Sequence, residues 1–333
     1  MLIGLLCLNW RRDHQSRGAW SAVGCALARN VTCISRRQAY GRQEHATYKK
    51  AGLNVLLFLC TAVVALAQTA APPETTPTEF PGAETFFYRE AGTPPMRLFV
   101  VKPAGWKAGD RRPALMFFFG GGWTTGTPAS SIFWARFAAD LGLVGIAPDY
   151  RTKGRNDVSP LGSVADSRAA LHWVQAHAAG LGLDPARIAV GGNSAGGHVA
   201  LWTAIIHPPP GSAAEESPRL KPAALILFSA VSDTSIETGY TPQRFGEHTT
   251  ALSPVHQLDL QMPPMLAFHG DADKTVPLRQ AVALRDRLHA TGNVCELHIV
   301  PGGGHNFGHD VPEWREKSRE LMIGFLKKQG LLD

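Results

Sequence analysis

The sequence predicts an α/β protein: a mostly parallel sheet of eight strands, with helices on both faces. Three observations lead there. From about residue 83, short apolar runs alternate with segments of helical periodicity. Several runs are continuously apolar rather than alternating, the pattern of strands buried on both faces. Glycine clusters stand where four of those strands end, the edge at which such sheets carry ligands.

The elements follow in order. TFFYREAG and MRLFVVKP read as an opening antiparallel pair. The run Pro113 to Phe119, bounded by Pro and Gly, is the first strand expected to be covered on both sides. Leu143 to Pro148, Arg187 to Val190, Ala223 to Ser229, Pro264 to His269 and Glu296 to Val300 supply the other five. Helical patterns occupy 130–141, 163–180, 195–206, 278–290 and 312–328. Two polar, Pro-rich stretches, 207–222 and 232–262, interrupt the alternation. The second is long for a structureless loop and is expected to shape a substrate pocket.

Residues 1–67 stand apart. Lys49-Lys50, the apolar run AGLNVLLFLCTAVVALA and the small-x-small ending at Ala67 have the form of a secretory signal peptide, implying a secreted or periplasmic protein. The apolar run is short for a membrane span, and no stable span is expected in the mature chain. Residues 1–48 are Arg-rich and precede the point at which a signal peptide would start. Residues 68–82 are Pro/Thr-rich and read as a linker, and 83–333 as the main folded domain. The formal charge of +6 belongs to this leader. Of 33 Lys/Arg and 27 Asp/Glu, nine and two fall in residues 1–68, leaving 24 and 25 in the remainder. That balance gives no reason to expect nucleic acid as a partner. Four of the five cysteines also lie in the leader, and Cys295 alone forms no disulfide or zinc pattern.

The chemistry concentrates at the strand ends. Gly192-Asn193-Ser194-Ala195-Gly196 follows a strand and opens a helix, which is the G-x-S-x-G form of a sharp turn that lifts a serine hydroxyl above the sheet. The glycines permit close approach of strand and helix. Taken alone, the motif also fits a closely packed helix start. Phe119-Gly120-Gly121-Gly122-Trp123 can turn backbone N–H groups toward a developing oxyanion, with the amide of Ala195 as a further donor. His269-Gly270-Asp271-Ala272-Asp273 and Gly302-Gly303-Gly304-His305 end two further strands. A serine needs a base, and the base needs an acid to hold its tautomer. The order Ser194, Asp273, His305 supplies all three.

With these motifs, and with DYR at Asp149–Arg151 and HGDADKTVP, residues 83–333 resemble the α/β-hydrolases. The likeness is to hormone-sensitive-lipase-type carboxylesterases and the related bacterial acetyl xylan and feruloyl esterases. The resemblance implies Ser194 as nucleophile, His305 as base, Asp273 as acid with Asp271 as runner-up, and Gly121, Gly122 and Ala195 as oxyanion donors. It implies no metal and no cofactor. One position departs from the pattern: these esterases usually begin the glycine motif with histidine, and Phe119 stands there instead.

The expected reaction is hydrolysis of short acyl esters, acetyl esters of carbohydrate or xylan first and feruloyl or general short-chain esters next. A prolyl-oligopeptidase-like peptidase and a non-catalytic binding protein of the same fold are the alternatives from other classes. Trp123 is expected to line the substrate pocket or to join the core. His198 reads as a packed structural residue, Asp166 and Arg168 as a helix start or surface pair, and Asp149 and Arg151 as loop stabilisers. Oligomeric state is not legible.

Overall fold

The computed structural model describes residues 75–89, 95–210 and 220–333. The expected leader and signal segment (1–67) lie outside the described residues, as do 211–219 of the first Pro-rich stretch.

Eight strands form one sheet in the order β1-β2-β4-β3-β5-β6-β7-β8. β1 (Glu84–Arg89) pairs antiparallel with β2 (Met96–Val101), and β2 antiparallel with β4 (Val144–Pro148). From β4 onward every pairing is parallel, through β3 (Arg112–Phe118), β5 (Leu183–Asn193), β6 (Ala224–Phe228), β7 (Met265–Gly270) and β8 (Cys295–Val300). The helices are α1 (Ile132–Asp140), α2 (Pro160–Ala176), α3 (Ala195–Ala204), α4 (Arg279–Ala290) and α5 (Glu313–Lys328), with single helical turns elsewhere.

The apolar run of β3 shows why the sheet needs two layers. Ala114, Met116 and Phe118 point into one cluster with residues of α2, α3 and α4. Leu115 and Phe117 point into the other, with Trp134 and Ala138 of α1 and Met322 and Phe325 of α5. A strand with side chains buried on both faces cannot carry the polar alternation of a one-sided sheet. β5 is longer than its apolar core, because Leu183 pairs with Arg112 across an irregularity before Ile188 joins Ala114.

The segment expected to be a free linker packs on the body at its end. Phe80 meets Phe99 edge-on at 4.7 Å, and Arg136 donates to the Pro81 carbonyl at 3.1 Å. The long excursion 232–262 is ordered by long-range polar ties rather than by regular structure. Gln280 Oε1 accepts from the amides of Ser232 and Asp233, and its Nε2 donates back to the Asp233 carbonyl. The Asp233 carboxylate accepts from the Ser235 amide and the Ser253 and Thr238 hydroxyls. Among the described residues, no helix is long and apolar enough to cross a membrane.

Candidate active site

β5 passes into α3 through one residue. Ser194 has φ 54° and ψ −122°, outside the regions an L-residue ordinarily occupies. Its surroundings fix it there: the amide donates to the Phe228 carbonyl at 2.9 Å, and the carbonyl accepts from Val231 and His198, each at 3.2 Å. Strain held by such over-determination marks functional turns. The flanking glycines are required by contact. A Cβ on Gly196 would lie 2.3 Å from the Phe119 oxygen, and one on Gly192 would lie 2.3 Å from the Gly196 oxygen. The start of α3 therefore rests directly on the end of β3, beside the glycine loop.

In that loop Gly121 has φ 127° and a Cβ there would lie 2.1 Å from the Thr125 oxygen, so only glycine fits. The Gly121 carbonyl accepts from Thr124 and Thr125, closing the turn. The amides of Gly121 and Gly122 donate to no other group among the described residues, and Ala195, first in its helix, has no intrahelical acceptor. The loop is also held from its unusual first residue. The Phe119 ring stacks on Tyr150 at 4.1 Å and 9°, and the Tyr150 hydroxyl donates to the Phe119 carbonyl at 2.8 Å. A buried tyrosine thus anchors the loop at Phe119, the residue that departs from the expected motif. From the other side, Arg244 of the long excursion donates to the Gly122 carbonyl at 2.8 Å.

Trp123 does not present its ring as an open substrate surface. It is 1% exposed and packs edge-on against His198 and Phe245, at 5.1 and 4.9 Å. The excursion carrying Phe245 closes over it and joins it to the core, and Trp123 also borders a cavity of about 270 Å³ with Gly122, Val158 and Arg244. His198 is fully buried, with Nε2 2.8 Å from the Leu252 carbonyl. Burial holds its imidazole down at a pKa of about 4, so it is neutral near pH 7.

Two loops bring acid and base together. The loop after β8 crosses the end of β7, where the Ala272 amide donates to the Gly303 carbonyl at 2.9 Å. His305 Nδ1 then lies 2.8 Å from Asp273 Oδ2. A carboxylate only accepts, so Nδ1 carries the proton and Nε2 keeps its lone pair. Asp273 Oδ1 accepts from the amides of Thr275 and Val276, at 2.8 and 2.9 Å. His269 Nε2 lies 2.7 Å from the Val276 carbonyl and 3.4 Å from Asp273 Oδ2. Burial alone would raise the Asp273 pKa, but the hydrogen bonds from His269, His305 and the Val276 amide outweigh it and hold the group below the usual carboxylate range. Asp271 faces elsewhere, with Oδ1 accepting from the Gly302 amide at 2.7 Å. It ties the two loops together and does not meet the imidazole.

His305 and the serine turn share one cleft. Phe307 lies 6.0 Å from Phe228, ring centre to ring centre, and the Phe228 carbonyl is the acceptor for the Ser194 amide. His305 and Asn193 both line a cavity of about 570 Å³. The structure joins His305 to Asp273 but not to Ser194, whose Oγ makes no hydrogen bond among the described residues. Catalytic hydrogen bonds are often formed only when substrate is bound.

The remaining sequence candidates have structural places. Asp166 is not at the surface: fully buried, it takes both guanidinium bonds of Arg151, each at 2.8 Å. Arg168 is also buried and donates to the Trp202 and Ile206 carbonyls at the end of α3. Asp149 pairs with Arg155 at 2.7 Å, and Asp149 and Arg151 do stabilise loops. Sequence reasoning missed Tyr150 as the loop anchor, although it sits inside the DYR motif. It also missed Arg244 and Gln280, for which no local pattern gives a signal.

A family model described as the alpha/beta hydrolase fold matches residues 115–309. The chain belongs to this family, the alpha/beta hydrolases. Among curated relatives, the probable carboxylic ester hydrolase LipM of Mycobacterium tuberculosis is 30% identical over 194 residues, 53% of this chain and 44% of LipM. Esterase LipC of the same organism is 27% identical over 216 residues, 59% of this chain and 53% of LipC. The chain thus spans about half the length of these relatives. Among solved structures, a thermophilic esterase of the planctomycete Thermogutta terrifontis, Est2, superposes with a TM-score of 0.70 at 37% identity, covering 77% of this chain and 95% of that one. The same values of score and identity hold for its propionate-bound form, with 77% and 97% covered, and for esterase 2 of that organism phosphorylated by paraoxon, with 78% and 98% covered.

Proposed function

We propose that this protein is a serine carboxylic-ester hydrolase working through Ser194, His305 and Asp273. The observation that carries the reading is the 2.8 Å bond from His305 Nδ1 to Asp273 Oδ2, in a cleft shared with a strained serine turn. That bond sets the tautomer in which Nε2 can take the hydroxyl proton. Ser194 Oγ attacks the ester carbonyl as His305 accepts its proton. The tetrahedral oxyanion rests on the amides of Gly121, Gly122 and Ala195, and the positive end of α3 adds to their field. His305 then protonates the departing alcohol. Water, deprotonated by the same imidazole, attacks the acyl-enzyme and releases the acid.

The acyl group in this reading is short, supported by the propionate- and butyrate-bound forms of the Thermogutta esterase. The alcohol is a carbohydrate hydroxyl, acetylated xylan being the first candidate. Its support is the signal-peptide form of the sequence that ends at Ala67. The mature chain then begins at Gln68, which mass spectrometry of the secreted or periplasmic protein checks. Residues 68–333 release p-nitrophenol from its acetate, and Ser194→Ala abolishes the release. Unchanged turnover in that variant removes the nucleophile assignment. Rates on acetylated xylan, a feruloylated oligosaccharide and a peptide anilide, measured side by side, decide the substrate. Dominant cleavage of the anilide overturns the esterase reading.

A further inference from the structure

The cavity beside His305 has a composition that acyl transfer alone does not require. Its walls are aromatic. Trp134 and Phe228 lie 4.9 Å apart, Phe133 is 4.8 Å from Trp134, and Phe307 completes the row beside Phe228. Phe133 is 44% exposed, an apolar ring left open to water. Over the same space α5 presents Arg315 and Arg319. Among the described residues, no Asp or Glu lines the cavity.

The two arginines are not equivalent. Arg319 is neutralised by Glu316 at 2.9 Å and lies over the Phe137 ring. Arg315 spends one bond on a neutral group, the Gly308 carbonyl at 3.2 Å, and has no carboxylate partner among the described residues. A guanidinium with its remaining donors directed to no anion, beside a ring-sized aromatic slot, is suited to bidentate carboxylate recognition.

The position of His305 says which half of the ester enters. The leaving oxygen must take its proton from His305 Nε2, so the group on the imidazole side is the alcohol. We infer that the cavity is an alcohol subsite for a ring-bearing alcohol carrying a carboxylate, the ring packing on Phe133 and Trp134 and the carboxylate meeting Arg315. The inference rests on the esterase reading above. Two sources share this chemistry, a carboxylated phenol and a uronic acid. Aromatic faces accept both kinds of ring, and the guanidinium selects the charge.

The test compares esters that differ only in that charge. In one arm, the acetate of a para-hydroxyphenylpropanoate is set against the acetate of its primary amide, which leaves the phenol's reactivity matched. In the other, an acetylated methyl glucuronoside is set against the corresponding glucoside. At low salt, kcat/KM favours the charged member by roughly fivefold in at least one arm, the scale of a single partly exposed ion pair. The arm that shows the preference identifies the source. Added salt lowers the ratio, Arg315→Gln brings it to about one, and Arg315→Lys keeps part of it. Equal rates for charged and neutral members in both arms overturn the subsite, as does a preference that survives Arg315→Gln. Turnover of p-nitrophenyl acetate with none of these four esters cleaved also overturns it while leaving the esterase reading intact. No turnover of any ester removes the esterase reading and the subsite together.

Discussion

Tyr150→Phe tests how a glycine loop that begins with Phe119 is held. The substitution keeps the ring that stacks on Phe119 and removes only the hydroxyl that donates to the Phe119 carbonyl at 2.8 Å. Both residues are fully buried, so water cannot readily replace the lost donor. An unsatisfied buried carbonyl costs about 1–3 kcal/mol. For a domain of this size each kcal/mol lowers the Tm by roughly 2–4 °C. Phe119 directly precedes the glycines, so the orphaned carbonyl is free to rotate and carries the Gly121 and Gly122 amides off the oxyanion. Removing an oxyanion donor outright costs about 10²–10³ in kcat, and misdirecting donors that remain should cost roughly tenfold. The assay is thermal unfolding by circular dichroism together with p-nitrophenyl acetate kinetics. The expected result is a lower Tm and a lower kcat, with KM little changed. A variant as stable and as fast as the parent refutes the anchoring role.

Two further predictions concern the acid and the buried histidine. Asp273→Asn loses the acceptor that fixes the His305 tautomer, and kcat falls by about 10³–10⁴, whereas Asp271→Asn, which loses a tie between two loops, keeps kcat within a few fold; steady-state kinetics of the pair checks both. His198 is held neutral by burial with a pKa of about 4, against about 6.5 when unfolded. Below pH 6.5 the unfolded chain therefore binds a proton that the folded one refuses, and this contribution, full above that pH, is lost as pH falls toward 4. The loss approaches about 3 kcal/mol. Urea unfolding at pH 7 and pH 4 should show a smaller decline in His198→Gln than in the parent, and equal declines contradict the assignment.

The legibility of this chain follows the range of the forces involved. The strands could be read because burial on both sheet faces leaves continuous apolar runs, and the helices because their periodicity is local. The serine turn was legible because Gly192 and Gly196 answer contacts with Ser194's immediate neighbours and with β3. The acid was legible only through the resemblance, whose HGDADKTVP motif favours Asp273 over Asp271. Other features escaped because their causes lie far away in the chain. The order of 232–262 comes from Gln280, 47 residues beyond Asp233. The inward ring of Trp123 is decided by Phe245. Asp166 looked like a surface residue until Arg151 met it, and nothing near Arg244 in sequence foretells its bond to Gly122.

The nucleophile is tested most directly by covalent capture. Paraoxon phosphorylates esterase 2 of Thermogutta terrifontis, and a serine activated by a neighbouring imidazole should react in the same way here. The protein is treated with paraoxon, its residual p-nitrophenyl acetate turnover is followed, and the modified peptide is sequenced by mass spectrometry. The expected result is one phosphoryl group per chain, carried on Ser194, appearing in step with the loss of activity and absent in His305→Ala over the same period. Stoichiometric labelling of another residue, or full inactivation with Ser194 unmodified, contradicts it.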